Sequence, residues 1–142
     1  MLTKIDHIGI AVHDMDAVLK LFKNTFGLTP IKIETLEDIS VKIAFLPLGE
    51  VLIELLQPTA PGAGRIGQFL ADKGPGFHHI AYRVGSIDQA MAQLKQQGVP
   101  LRDQTPRPGG DDSRIAFMDP AGTQNVLTEL VERAHEIGAE QS

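Results

Sequence analysis

Two histidines occupy equivalent places in two similar stretches of this sequence. His7 opens the run HIGIAV, His79 opens the run HIAYRV, and their numbers differ by 72 in a chain of 142 residues. A glutamate inside an apolar run follows each histidine, Glu54 in VLIELL and Glu129 in VLTELV. Neutral imidazoles and carboxylates are ligands of divalent transition-metal ions. The repeat therefore predicts one metal site, and its four ligands are His7, Glu54, His79 and Glu129.

Each of these residues has a simpler interpretation when it is taken alone. A lone histidine on a strand is more often structural than a ligand, and a lone glutamate on a strand is usually solvated on an open sheet face. Burying the glutamate would require a nearby cation, since desolvating its charge is costly. The metal hypothesis therefore depends on the repetition of a His and a Glu at matching positions.

The first half of the chain has the pattern of a strand, a helix and three strands. A first strand is predicted at 4–12, where His7 shares a face with the small residues Gly9 and Ala11. Asp14 can cap a helix at Met15–Phe26, which Gly27 ends. Further strands are predicted at 29–34, 40–46 and 51–56, with a polar turn at 36–38.

The second half repeats this order after a Pro- and Gly-rich linker at 58–75, which contains a short helix at 65–73. A strand at 77–84 is followed by a helix at 87–97 with Ser86 as its cap. Strands follow at 114–118 and 125–131. The ranges that remain are a polar loop at 102–112 and a polar tail at 132–142.

The other three histidines have no repeated counterpart. On a regular strand His78 faces away from His79, which predicts a role in packing or in supporting a ligand. His13 and His135 are predicted at the surface. None of the three belongs to the predicted ligand set.

Composition limits the class of protein. The chain has no cysteine, so it has no disulfide and no thiolate ligand. Its net charge is −5 and no dense basic stripe is present, which argues against nucleic acid as a partner. No apolar run has membrane-spanning length, and the N-terminus lacks a signal-peptide pattern. We expect a cytoplasmic α+β protein with one domain at 1–131, built from modules at about 1–57 and 76–131, and a tail at 132–142.

The sequence resembles the vicinal oxygen chelate superfamily, to which glyoxalase I and the extradiol dioxygenases belong, and within it the methylmalonyl-CoA epimerases. The resemblance covers nearly the whole chain up to residue 131. Its stretches are DHIGIAV at 6–12, VKIAFLP at 41–47, IELL at 53–56, HHIAY at 78–82, PRPG at 106–109 and VLTEL at 126–130. The paired histidines of HHI and the PRPG loop are the parts more specific to epimerase-like members.

This resemblance implies two βαβββ modules that form a cupped mixed sheet around the metal, often in a homodimer. It places the ligands on the four residues that the repeat had selected. The implied reaction interconverts the C2 stereoisomers of methylmalonyl-CoA, an acyl-CoA thioester, with one Co²⁺, Zn²⁺, Mn²⁺ or Ni²⁺ ion. Glu129 is the first candidate for proton transfer, and Glu37 and Asp38 are weaker ones. Arg107 and Arg114 are candidates for contact with the CoA phosphates or the free carboxylate, against solvated surface positions.

Two alternatives with the same fold stay open at this stage. One is a glyoxalase I-type lactoylglutathione lyase, which uses the same enolate chemistry. The other is a metal-free drug-binding resistance protein, which would not need the four predicted ligands. The segment Asp119-Pro120-Ala121-Gly122 is more typical of general glyoxalase-like members than of epimerases.

Overall fold

The computed structural model describes residues 1–137, which form eight strands, three α-helices and two short 3-10 turns. The chain divides into two compact units: one comprises residues 7–78, and the other comprises residues 1–6 and the chain from His79 onward. In chain order the elements are β1 (Leu2–Ala11), α1 (Met15–Phe26), β2 (Lys32–Leu36), β3 (Val41–Leu48), β4 (Val51–Pro58), α2 (Gly64–Lys73), β5 (Gly76–Val84), α3 (Ile87–Gln96), β6 (Arg107–Pro108), β7 (Arg114–Phe117) and β8 (Thr128–Glu132).

The unit of residues 7–78 has strands in the order β2-β3-β4-β1. The later part of β1 pairs in parallel with β4, and β4, β3 and β2 pair as antiparallel neighbours. Helix α1 begins where the Asp14 side chain accepts a hydrogen bond from the Ala17 N–H at 3.1 Å, and it ends where Gly27 adopts a left-handed φ of 67°. The buried core of this unit contains Val12, Met15, Ala44, Leu46 and Leu55.

The unit formed by residues 1–6 and the chain from His79 has the strand order β5-β8-β7-β6. Strand β5 pairs in parallel with β8, while β8, β7 and β6 pair as antiparallel neighbours. The Ser86 hydroxyl accepts the Gln89 N–H at 3.2 Å and caps α3, as predicted. The apolar face of α3 packs in a core whose buried members are Val84, Ile87, Ala90, Met91, Leu94, Leu101, Ala116 and Leu130.

The α+β class and the order βαβββ in each half are confirmed. The last strand was predicted to start at 125 but starts at Thr128, because residues 120–122 form a 3-10 turn and Gln124 and Asn125 adopt left-handed φ values of 57° and 65°. The loop at 102–112 contains the two-residue strand β6. Within the described residues no helix is long and apolar enough to cross a membrane. Of the predicted tail at 132–142, Glu132 is the last residue of β8, and residues 138–142 lie outside the described residues.

A buried carboxylate joins three segments of the second unit. Asp6 of β1 is only 1% exposed, and it accepts hydrogen bonds from Arg83 Nε at 2.7 Å and from Arg133 Nε and Nη2 at 2.9 and 2.8 Å. Arg83 also donates to the two oxygens of Glu136 at 2.7 and 3.2 Å. Two guanidinium groups thus compensate the buried charge of Asp6 and connect β1, β5 and the residues after β8.

The pairing with Arg83 predicts an acid-dependent contribution from Glu136. The hydrogen bond from Arg83 lowers the pKa of Glu136 below its ordinary value of 4.5. A carboxylate whose pKa is lower in the folded state stabilises the protein above its unfolded pKa and loses this contribution as the pH falls through its folded pKa. We expect the melting temperature to fall more steeply below about pH 4.5 in the wild type than in Glu136→Gln. Glu136 should contribute less than about 1 kcal/mol to the free energy of unfolding, because its side chain is largely exposed. Parallel curves of melting temperature against pH would contradict this role.

Candidate metal centre

The first histidine–glutamate pair lies between the parallel strands β1 and β4. Glu54 is in register with Gly9, two residues after His7, so the His7 and Glu54 side chains are diagonal neighbours on one sheet face. His7 Nδ1 lies 2.8 Å from Glu54 Oε2, and both residues are buried. The glycine leaves room on that face between the two side chains. The small-residue face predicted for His7 therefore serves to admit a carboxylate.

The second pair repeats this register in the other unit, between the parallel strands β5 and β8. Glu129 is in register with Ala81, again two residues after the histidine and again a small residue. His79 Nε2 lies 3.2 Å from Glu129 Oε2, and both residues are 4% exposed. The sequence repeat thus reflects the same strand pairing and the same diagonal contact in both units.

The two pairs differ in the ring nitrogen that meets the carboxylate. The contacting nitrogen is Nδ1 in His7 and Nε2 in His79. The imidazole rings therefore have different orientations relative to their carboxylates although the backbone register is the same. Because the two nitrogens of a neutral imidazole differ in protonation, the two histidines are not chemically interchangeable.

Phe117 of β7 packs against the second pair. Its backbone is in register with Glu129, and its ring meets the His79 ring edge-on with 5.5 Å between the centroids. Phe117 is buried, so it shields this side of the histidine from water. A buried aromatic ring beside an ionisable pair strengthens the electrostatic interactions of that pair, because it lowers the local dielectric.

The donor set suits a divalent transition-metal ion. The four predicted ligands are each among the buried side chains that could hold a metal ion. A neutral imidazole with an ionised carboxylate gives each pair a formal charge of −1, and burying such a charge is unfavourable without a cation. Imidazole nitrogen and carboxylate oxygen are the ligand types that zinc, cobalt, manganese and nickel accept in proteins. The residues present therefore fit the implied metal.

The structure places Glu37 away from the first pair. Glu37 is exposed in the 3-10 turn Glu37–Ile39, just before β3 begins at Val41. The β3 residue opposite Glu54 is Phe45, which is four residues after Val41. Four residues of extended strand span roughly 13 Å. Asp38 is exposed in the same turn. Neither carboxylate is buried as Glu129 is.

The two predicted arginines have different surroundings. Arg114 donates to both carboxylate oxygens of Asp88 at 3.0 and 3.2 Å, and this ion pair raises the pKa of Arg114 and lowers that of Asp88. Arg107 donates through Nε to Asp103 Oδ2 at 3.3 Å, and its guanidinium carbon lies 5.5 Å from the centroid of the Phe117 ring. Arg107 is thus near the second His–Glu pair, whereas Arg114 joins β7 to helix α3.

The remaining histidines lie largely where the sequence predicted. His78 packs edge-on against Phe69, with 4.8 Å between ring centroids, which confirms its packing role. His13 is exposed, as expected. His135 is partly buried and lies 3.7 Å from Asp111. The prediction of a surface position is therefore confirmed for His13 and only approximate for His135.

Three residues that surround the pairs were not among the predicted site residues, namely Asp6, Asp103 and Phe117. Asp6 carried a signal, since it is a charged residue inside an apolar strand and such a charge needs partners when buried. Asp103 and Phe117 carried none, because a polar residue in a polar loop and an aromatic residue in a strand are both ordinary. Their roles depend on contacts between segments that are distant in sequence.

Comparison with known proteins places the chain in a defined group. Residues 6–117 match the Glyoxalase/Bleomycin resistance protein/Dioxygenase superfamily. The uncharacterized protein YqjC of Bacillus subtilis is 37% identical over 131 residues, which cover 92% of this chain and 93% of that one. The ethylmalonyl-CoA/methylmalonyl-CoA epimerase of Cereibacter sphaeroides is 30% identical, with coverage of 92% and 98%.

The solved structures give the same result for the fold. A methylmalonyl-CoA epimerase of Streptomyces coelicolor, in complex with 2-nitronate-propionyl-CoA, matches with a TM-score of 0.89 and 38% identity, covering 94% of this chain and 96% of that one. A methylmalonyl-CoA epimerase in complex with methylmalonyl-CoA and NH4+ matches with a TM-score of 0.88, the same identity and the same coverage. The predicted glyoxalase-like fold is therefore confirmed.

Proposed function

The chain belongs to the Glyoxalase/Bleomycin resistance protein/Dioxygenase superfamily, and on that premise we propose that it is a metal-dependent epimerase acting at C2 of methylmalonyl-CoA. The observation that carries the proposal is the pair of buried His–Glu contacts in the same strand register, at 2.8 and 3.2 Å. The similarity to methylmalonyl-CoA epimerases, at 30% to 38% identity over most of the chain, supports the choice of substrate.

We propose that the two His–Glu pairs together hold one divalent ion. Each pair contributes one imidazole nitrogen and one carboxylate with a formal charge of −1. A single Co²⁺, Zn²⁺, Mn²⁺ or Ni²⁺ ion would neutralise both carboxylates, and four protein ligands leave positions open for oxygen atoms of a substrate. When bound, the ion supplies Lewis-acid stabilisation of the negative charge that develops on the thioester oxygen.

The chain's own residues supply the proton transfer and its surroundings. Epimerisation requires removal of the C2 proton on one face and delivery of a proton on the other. We assign a proton transfer to the Glu129 carboxylate, because it is buried beside His79 and shielded by the Phe117 ring. Partial exclusion of water by that ring strengthens the electrostatic interactions around Glu129.

A C2 exchange assay tests the proposed function. Methylmalonyl-CoA is incubated with metal-loaded protein in deuterium oxide, and deuterium at C2 is followed by mass spectrometry. We expect incorporation well above the spontaneous rate, and its loss when a chelator removes the ion. Protein whose metal content is verified and that gives no incorporation above the spontaneous rate would refute the proposal.

The same preparation distinguishes the two alternatives. Formation of lactoylglutathione from glutathione and methylglyoxal, without C2 exchange, would assign a glyoxalase I-type lyase. Tight binding of a drug by protein that retains no metal would assign a resistance protein. The buried His–Glu contact in each unit, whose donor atoms suit a metal ion, favours an enzyme over the metal-free binder. Assembly into a homodimer, which the family resemblance implies, remains a prediction.

A further inference from the structure

Arg107 lies near the His79–Glu129 pair and is held in position, while most of its hydrogen-bonding capacity is unused within residues 1–137. The Asp103 Oδ2 atom accepts the Phe117 backbone N–H at 2.8 Å and Arg107 Nε at 3.3 Å. This carboxylate therefore attaches the loop before β6 to strand β7 and fixes the Nε atom of the Arg107 guanidinium. Asp103 is a half-buried side chain, so these hydrogen bonds are partly protected from competing water.

The plane of Phe117 holds the other side of Arg107. The guanidinium carbon lies 5.5 Å from the ring centroid, within the range of a cation–π interaction. The same ring meets the His79 ring with 5.5 Å between centroids. The two distances limit the separation between the Arg107 guanidinium and the His79 ring centroid to about 11 Å at most. Arg107 is thus one aromatic ring away from a proposed metal ligand.

The two terminal nitrogens of the Arg107 guanidinium are available for hydrogen bonds to a ligand. Among residues 1–137, Nε is the only guanidinium nitrogen of Arg107 that makes a hydrogen bond, and the side chain is 29% exposed. Arg114, by contrast, has both terminal nitrogens engaged with Asp88. A guanidinium fixed at Nε, stacked on a ring and open at its two terminal nitrogens is arranged to bind an oxyanion through two parallel hydrogen bonds.

We propose that Arg107 recognises the free carboxylate of the substrate's acyl group, and that Asp103 is the positioning residue that holds it there. The inference rests on the proposed function. It names the residue that would make the enzyme select an acyl group that carries a carboxylate. The CoA phosphates are the other oxyanions of such a substrate. They lie beyond the pantetheine arm, whereas the acyl carboxylate lies next to the reacting carbon, so the closeness of Arg107 to His79 favours the carboxylate.

Binding measurements on three thioester probes test the assignment. Calorimetric affinities of metal-loaded wild type and Arg107→Gln are compared for methylmalonyl-CoA, for propionyl-CoA, which lacks the carboxylate, and for free CoA. We expect the substitution to lower the affinity for methylmalonyl-CoA about 10- to 100-fold, the effect of losing a charged hydrogen-bonded pair. The affinities for propionyl-CoA and free CoA should change less than about threefold. Arg107→Lys should restore little, since an ammonium group cannot form the parallel pair.

The outcomes separate the two oxyanions. An equal loss for all three probes would assign Arg107 to the CoA phosphates and overturn the carboxylate assignment, and an unchanged affinity for methylmalonyl-CoA would overturn it as well. Arg65→Gln serves as the matched control, because Arg65 is an exposed arginine on α2. The readout is binding, so it is independent of the C2 exchange assay. Wild-type protein that binds methylmalonyl-CoA through Arg107 without exchanging its C2 proton would refute the proposed function alone.

Asp103→Asn tests the positioning role. The amide oxygen can still accept the Phe117 N–H, but it no longer carries the charge that holds Arg107. We expect a raised KM for methylmalonyl-CoA with kcat nearly unchanged, and melting within a few degrees of the wild type. A loss confined to kcat, or equal effects on propionyl-CoA and methylmalonyl-CoA affinity, would contradict the role assigned to Asp103.

Discussion

Replacing Glu129 by glutamine is expected to slow deuterium incorporation at C2 of methylmalonyl-CoA by about 10²- to 10⁴-fold, the range that a positioned general base contributes. The amide occupies the same volume and keeps an oxygen for the metal, but it cannot take a proton. Glu129 is buried, lies 3.2 Å from His79 and adjoins Phe117. An external base from solution therefore cannot easily take over its role. The measurement is the exchange rate at saturating metal ion, with bound metal quantified in the same samples.

Glu54→Gln is the matched control for this prediction. Glu54 occupies the equivalent register position, opposite Gly9 as Glu129 is opposite Ala81, and it also contacts a histidine. Since no proton transfer is assigned to Glu54, we expect its replacement to slow exchange less than about tenfold once the metal is saturating. Equal losses in the two variants would show that both carboxylates act only as ligands, and would remove Glu129 from the proton-transfer role.

Replacing Asp6 by alanine is expected to destabilise the protein by about 3–5 kcal/mol, the cost of removing one partner from a buried ion pair. The carboxylate is 1% exposed and accepts three hydrogen bonds, one from Arg83 and two from Arg133. Its loss leaves the Arg133 guanidinium, whose side chain is 2% exposed, without its charged partner at Asp6. Urea denaturation at pH 7 measures the change as a lower transition midpoint with an unchanged slope.

Two comparisons make the Asp6 prediction specific. Asp38→Ala removes an exposed aspartate from a turn and should change the free energy of unfolding by less than about 0.5 kcal/mol. Asp6→Asn keeps the shape and the acceptor oxygen, so it should cost less than the alanine variant but more than the surface control. If Asp6→Ala and Asp38→Ala were equally stable, the arginine cluster would not be a stabilising element.

The candidate metal ligands were predictable because a histidine and a glutamate recur at matching positions in the two halves of the chain. A single His7 or Glu54 in a strand has several ordinary explanations. Finding His79 and Glu129 at matching places removes most of them, and the structure shows why the pattern recurs. In both units the glutamate is opposite a small residue two positions after the histidine, Gly9 in one and Ala81 in the other. Period-two alternation along a strand makes this relation readable from sequence spacing.

The surroundings of the second pair were not predictable in this way. Asp103 belongs to a polar loop and Phe117 to an ordinary strand, so their local sequence does not place them beside the pair, and Arg107 was a candidate only through the family resemblance. Their association depends on the register of β7 with β8, which places Phe117 beside Glu129, and on the hydrogen bond from Asp103 to the Phe117 backbone. The same holds for Arg114, whose bidentate contact with Asp88 depends on how α3 packs near β7.

The sequence by itself determined the order of strands and helices in each half except for the two-residue strand β6, the helix caps at Asp14 and Ser86, and the candidate ligands. All of these depend on local spacing and on alternation along a strand. The tertiary structure alone decided which ring nitrogen meets each carboxylate, that two arginines neutralise Asp6, and that Arg107 keeps an open edge beside the His79–Glu129 pair. These features depend on distances between side chains far apart in the chain. Such distances follow from the packing of whole elements, which local propensity does not encode.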